Sequence, residues 1–134
     1  MKVTRFEDLI AWQKARELRK TIYQISSELP FWRDFEMRNQ IRSAALSVMS
    51  NIAEGFERNG IPEFLYFLKI ANASCAEVRS QLYAAFDEGY IADATLPTLL
   101  ERTKQVSRII QGLENSLILK RGTGHRARGT QRVS

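Results

Sequence analysis

Residues 40–60, QIRSAALSVMSNIAEGFERNG, are the stretch on which the fold turns. Around them Met37, Ile41, Ala44, Ala45, Val48, Met49, Ile52 and Phe56 recur at spacings of three and four, which makes one face of a helix over about 35–58 apolar. A second line, Gln40, Ser43, Ser47, Asn51, Glu54 and Arg58, repeats at the same interval and is polar or small. Such a line either faces water or forms a partly buried hydrogen-bonded seam. Serine and asparagine, where a solvated face usually carries lysine and glutamate, favour the seam, and any polar group enclosed there must find a partner. Gly55 inside the helix costs on the order of 1 kcal/mol relative to alanine, unless its missing side chain lets a neighbour approach closely. Asn59 and Gly60 supply turn conformations, and Pro62 suits the first turn of the next helix.

Working outward, the same periodicity appears three more times. Ala11, Ala15, Leu18, Ile22, Ile25 and Leu29 mark a helix that Pro30 ends, with Glu7 or Asp8 placed to serve the open amides at its start. Trp12 and Tyr23 lie beside that stripe as core-edge or interface aromatics. Phe31, Trp32 and Phe35 crowd the following loop, either plugging a bundle end or meeting another subunit, and Asp34 is positioned to cap the next helix. Phe64, Leu68, Ala71, Cys75, Val78, Leu82 and Ala85 define the third helix. Leu96, Leu99, Thr103, Val106, Ile110, Leu113 and Leu117 define the fourth, which the sequence stops at Gly122. Short links between four such helices predict an all-α, antiparallel up-down-up-down bundle over 1–120, followed by a basic flexible tail over 121–134.

Charge is unevenly shared. The net charge is +5, yet residues 121–134 carry four Arg and no acid, which leaves 16 cations against 15 acids in the first 120 residues. The tail's arginines, Arg121, Arg126, Arg128 and Arg132, suit either polyanion contact or an ordinary solvated terminus. Neither a signal peptide nor an apolar run of membrane-spanning length is evident, so a cytoplasmic protein is expected.

The residues offer little chemistry. A single histidine, His125, and a single cysteine, Cys75, leave no metal-ligand set. Cys75 lies on the core line, which predicts a buried, inert thiol. Ser43, Ser47, Ser50 and Ser74 lack a general base, and arginine pairing explains Glu54, Glu77 and Glu101 more simply than acid–base work does. Neither a cofactor nor enzymatic activity is expected.

On FEDLIAWQKA (6–15), the loop 29–36, QIRSAALSVMSNIAEG (40–55), Arg58, FLYFLKIANASCAEVRSQL (64–82) and GYI (89–91), the chain resembles the 23S ribosomal RNA intervening-sequence proteins. Gln40, Asn51, Glu54 and Gly55 are the structural residues of that motif. Ser43 departs from it where relatives often carry a second basic residue after Arg42, and Ala73-Ser74 replaces a Gly-Ser pair. The resemblance implies a ring-like homopentamer without catalytic activity, and a more distant similarity to retroelement accessory proteins implies contact with nucleic acid and enzyme. Two functions are therefore expected in competition. One is an oligomeric adaptor holding RNA or DNA by phosphate contacts through Arg38, Arg42, Arg58, Arg121, Arg126, Arg128 and Arg132; the other is a protein-interaction scaffold in which arginines pair with acids between subunits.

Overall fold

The spacing of apolar residues resolves into four helices: α1 (Ile10–Ser26), α2 (Phe35–Glu57), α3 (Ile61–Asp87) and α4 (Leu96–Gln131). They are seen in a computed structural model that describes the backbone of residues 2–131 and the side chains of residues 2–122. α2 packs against α1 and α3, and α4 packs against α3 and back onto α1, so the up-down order closes into a four-helix bundle. Among the described residues, no helix is long and apolar enough to cross a membrane.

The predicted faces are the buried ones, except that α1 ends at Ser26 and Leu29, expected on its stripe, lies beyond it and is exposed. Ala15, Leu18 and Ile22 of α1 meet Ile41, Val48 and Ile52 of α2, Leu68, Val78 and Leu82 of α3, and Leu99, Val106 and Ile110 of α4 in one core. Burying each large aliphatic side chain contributes about 1.5–3 kcal/mol, which is why a stripe of this kind dictates the helix's rotation. Buried hydroxyls on the same faces return their protons to the preceding turn. Thr103 Oγ1 donates to the Leu99 carbonyl at 2.8 Å, and Ser26 Oγ to that of Ile22 at 2.7 Å.

α2 and α3 share the most extensive contact, and small residues explain it. A β-carbon at Gly55 would lie 2.7 Å from Phe67 Cβ and 3.0 Å from Phe64 Cδ1, distances that require the two helices to separate. In the middle of the same contact the polar line becomes a seam. Asn51 Nδ2 donates to the Ser47 carbonyl at 2.8 Å and to Ser47 Oγ at 2.9 Å, and Ser74 Oγ of α3 donates to Ser47 Oγ at 2.9 Å. Gln40, Ser43, Glu54 and Arg58, at the two ends of the line, are exposed. Both readings of that line therefore hold, each over part of its length.

At one end of the bundle, Phe31 is buried in a 3₁₀ turn, Phe31–Arg33, and stacks on Tyr90 with ring centroids 5.1 Å apart. Asp34 caps α2 as expected, its Oδ1 accepting from the Met37 amide at 3.1 Å. Its Oδ2 accepts from the Tyr90 hydroxyl at 2.9 Å, which ties the α1–α2 link to the α3–α4 link.

Two boundaries differ from expectation. Glu7 and Asp8 do not cap α1; they lie in a preceding 3₁₀ turn, Phe6–Asp8, beside Arg5 at 3.6 and 3.7 Å, and Leu9 precedes the helix without a side-chain cap. α4 also runs through Gly122 to Gln131 instead of stopping there. Glycine in a helix costs about 1 kcal/mol against alanine but does not forbid the conformation, and no proline follows to end it.

Candidate functional site

The residues that suggest a surface function gather where α1 ends and α2 begins. Residues 12, 16, 19 and 23 recur at four, three and four, so Trp12, Arg16, Arg19 and Tyr23 share a line along α1. Arg16 lies 5.6 Å from the Trp12 ring centroid and Arg19 lies 4.1 Å from that of Tyr23. The line then crosses to α2. Arg42 sits 4.3 Å from the Tyr23 ring and 5.4 Å from Trp32, and Arg38 sits 4.1 Å from Trp32 and 4.7 Å from Phe35. Cations and rings thus alternate from Arg19 through Tyr23, Arg42, Trp32 and Arg38 to Phe35. Each cation–π contact at a partly exposed site contributes about 0.5–1 kcal/mol, enough to hold the guanidinium groups in place.

The two central arginines differ in their duties. Arg42 is bound into the fold: Nε donates to Ser26 Oγ at 2.7 Å, and Nη2 donates to Ser27 Oγ at 2.8 Å and to the Tyr23 carbonyl at 3.2 Å. A cation there meets the negative end of α1 and its open carbonyls. Arg38 makes two lighter contacts, to the Trp32 carbonyl at 3.2 Å and to Asn39 Oδ1 at 3.1 Å. Among the described residues, neither of them, nor Arg19, stands in an ion pair with a carboxylate.

Arg58 is different in kind. It pairs with Glu54 at 3.0 Å and with Glu63 at 3.8 Å, and lies 5.1 Å from the Phe67 ring. At the C-cap of α2 and 16 residues after Arg42, roughly 24 Å at 1.5 Å per residue, it belongs to the other end of the bundle. Arg121 is exposed late in α4. Arg126 and Arg128 lie on the α4 backbone, with side chains outside the described residues, and Arg132 lies outside them altogether. The structure therefore brings together Arg38 and Arg42 of the expected set and adds Arg19, with Arg16 farther back along α1 beside Trp12, neither of which the sequence singled out. Their spacing from Trp12 and Tyr23 was the available signal.

The groups considered for chemistry are accounted for separately. Burial pushes the Cys75 thiol up to about 12, against a smaller opposing effect of Arg79, so it stays protonated at neutral pH. Glu54 pairs with Arg58, and Glu101 with Arg108 at 2.6 Å, a bond that holds the Glu101 carboxyl below its usual range, whereas Glu77 stands in no ion pair among the described residues. Among the described residues no cluster of His, Cys, Asp and Glu has the makings of a metal site. One buried carboxylate escaped the sequence: Glu114 is only 3% exposed, and its Oε2 meets Lys69 Nζ at 3.4 Å. It lines an open groove between α3 and α4 with Asn72, Arg79 and Ser107, and Ser107 Oγ donates to Asn72 Oδ1.

A family model described as 23S rRNA-intervening sequence protein matches residues 7–112 of the chain. Among solved structures, a crystal structure of a protein with unknown function from the S23 ribosomal protein family of Bacteroides thetaiotaomicron VPI-5482 is similar. It is 18% identical with a TM-score of 0.73, over 79% of this chain and 96% of that one. At that identity the likeness speaks for the fold. No curated protein matches.

Proposed function

The chain belongs to the 23S rRNA-intervening sequence protein family, and from that premise we propose that it is a non-enzymatic, oligomeric adaptor that holds nucleic acid by its phosphates. The observation that carries the proposal is the set of arginines at the α1–α2 end. Arg19, Arg38 and Arg42 are ordered by aromatic rings and lack carboxylate partners among the described residues. Arginine offers its donors in a flat fork suited to phosphate oxygens, and ordering it beforehand lowers the entropy lost on binding. The Arg58 site is internally neutralised and contributes less than the expected set implied.

Such binding is salt-dependent and weakly selective for sequence. Anisotropy titrations with RNA and DNA across salt concentrations should give a linear fall of log affinity with log salt. Arg38→Gln should lower the slope by roughly 0.7–0.9, the value of one phosphate contact. Absence of binding to both polymers at low salt refutes the proposal.

Self-association is the second part. Exposed Tyr66 and Tyr83 on α3 and Ile118 and Leu119 on α4 support it, since apolar surface of this kind favours burial against another subunit. The homopentamer implied by the sequence resemblance is the assembly we propose, and the accessory role implied with it would have the ring present nucleic acid to an enzyme. Light scattering on the purified protein is expected to return five times the chain mass of 15.4 kDa. A monomer throughout the micromolar range would remove the oligomer. In that event, protein–protein scaffolding between subunits also fails as the alternative.

A further inference from the structure

Two rings of the ladder are more exposed than a folded link requires. Trp32 is 42% exposed and Phe35 is 60% exposed, although Phe31 beside them is fully enclosed. The same loop therefore buries one aromatic and holds two outward. Phe35 stands at the first position of α2, and its described cation partner is Arg38, at 4.7 Å. Trp32 is held from the backbone side as well, because Arg38 donates to its carbonyl at 3.2 Å. Both rings are thus fixed at the surface and do not fold back onto the core.

We propose that this end of the bundle binds single-stranded nucleic acid, with Trp32 and Phe35 stacking unpaired bases while Arg19 and Arg38 contact the flanking phosphates; the inference rests on the nucleic-acid reading above. The charges point to the ligand. The surface carries Arg16, Arg19, Lys20, Arg33 and Arg38 in addition to the bound Arg42. Of the nearby acids, Asp34 already has both oxygens engaged by Met37 and Tyr90, while Glu28, Glu36 and, beside Tyr90, Glu88 are exposed and fewer than the cations. A partner must bring negative charge to the guanidinium groups and flat apolar faces to the rings, in alternation over a short distance. A single strand does both. A duplex supplies the phosphates but keeps its bases stacked on one another, and so leaves the two rings without a partner.

The test compares oligonucleotides of roughly 12 nucleotides, within the site sizes of single-strand binders, as single strands and as duplexes, at one low salt concentration. In a Trp12→Phe background, Trp32 is the sole indole, and its emission should be quenched by single strands and not by duplex. Phe35→Leu keeps the apolar bulk and removes the π-face. It should weaken single-strand binding by roughly 5- to 100-fold, as for the loss of one stacked base, and duplex binding by much less, because Arg38 keeps its place against Trp32. Phe35→Trp should retain single-strand binding. Equal binding of both forms, with Phe35→Leu without effect, overturns the stacking inference and leaves phosphate binding standing. No binding of either form overturns both.

Discussion

At the scale of a single residue, Gly55 shows how a missing side chain sets a helix pair. Its place is bounded by Phe67 Cβ, which is tied to the α3 backbone and cannot swing aside. Alanine there would gain about 1 kcal/mol of helix propensity but would impose overpacking of about 1–3 kcal/mol. Gly55→Ala should therefore destabilise the protein by up to about 2 kcal/mol, read as a lower urea midpoint. A more stable variant would mean that α2 and α3 spread without cost. This position was legible from the sequence, because an internal glycine in a strongly periodic helix needs a compensating contact. Glu114 was not. It stands four residues after the buried Ile110, but Leu113 offered a more obvious apolar choice, and only the packing of α3 against α4 encloses its carboxylate.

At the scale of elements, the links carry the information that the helices lack. Asp34 joins the start of α2 to Tyr90, and that bond, followed by burial and the negative charges of Asp34 and Glu88, raises the Tyr90 phenol above its ordinary value. The sign follows directly. The stabilisation is fully present below the unfolded tyrosine value of about 10 and is lost as pH rises through the higher folded value. Urea midpoints measured from pH 8 to 11 should therefore fall more steeply for the wild type than for Tyr90→Phe. The difference between the two should be largest near neutrality and close at the alkaline end. Parallel profiles would show that the hydroxyl contributes nothing through its proton. The cap by Asp34 could be read from a single chain segment, whereas its second bond joins residues 56 positions apart and had no local signature. Glu7 and Asp8 misled for the converse reason: acids before a helix satisfy the capping pattern, but a 3₁₀ turn shifts them out of reach.

At the scale of the whole molecule, four periodic faces were enough to specify the bundle, since each must bury a stripe and the links are too short for other orders. The candidate interface is a different matter. Arg42 and Tyr23 are brought together only when α1 and α2 pair, and Trp32 and Phe35 become outward rings only because Phe31 takes the interior place. Arg38 and Arg42 could be picked out as a basic pair one turn apart, but which arginines lie beside rings, and which already face carboxylates, is a property of tertiary structure. The same view separates the ends of the bundle. Among the described residues, Arg19, Arg38 and Arg42 stand without carboxylate partners where α1 meets α2, while Arg58 faces the two acids Glu54 and Glu63 at the opposite end. Under the proposed function, a strand would be drawn to one pole of the bundle and not along its length.

The clamp made by Arg42 has a consequence for how lineages of such proteins can diverge. Its fork closes the end of α1 through three hydrogen bonds, and lysine, a point charge without that fork, would not replace them. Selection for a stable fold is thus sufficient to retain arginine at this position whether or not a polyanion is ever bound. Arg19 and Arg38, which make no comparable set of bonds, are released to drift once binding ceases to matter. Variation at those two positions, with Arg42 held constant, would then mark lineages that keep the bundle without the proposed ligand.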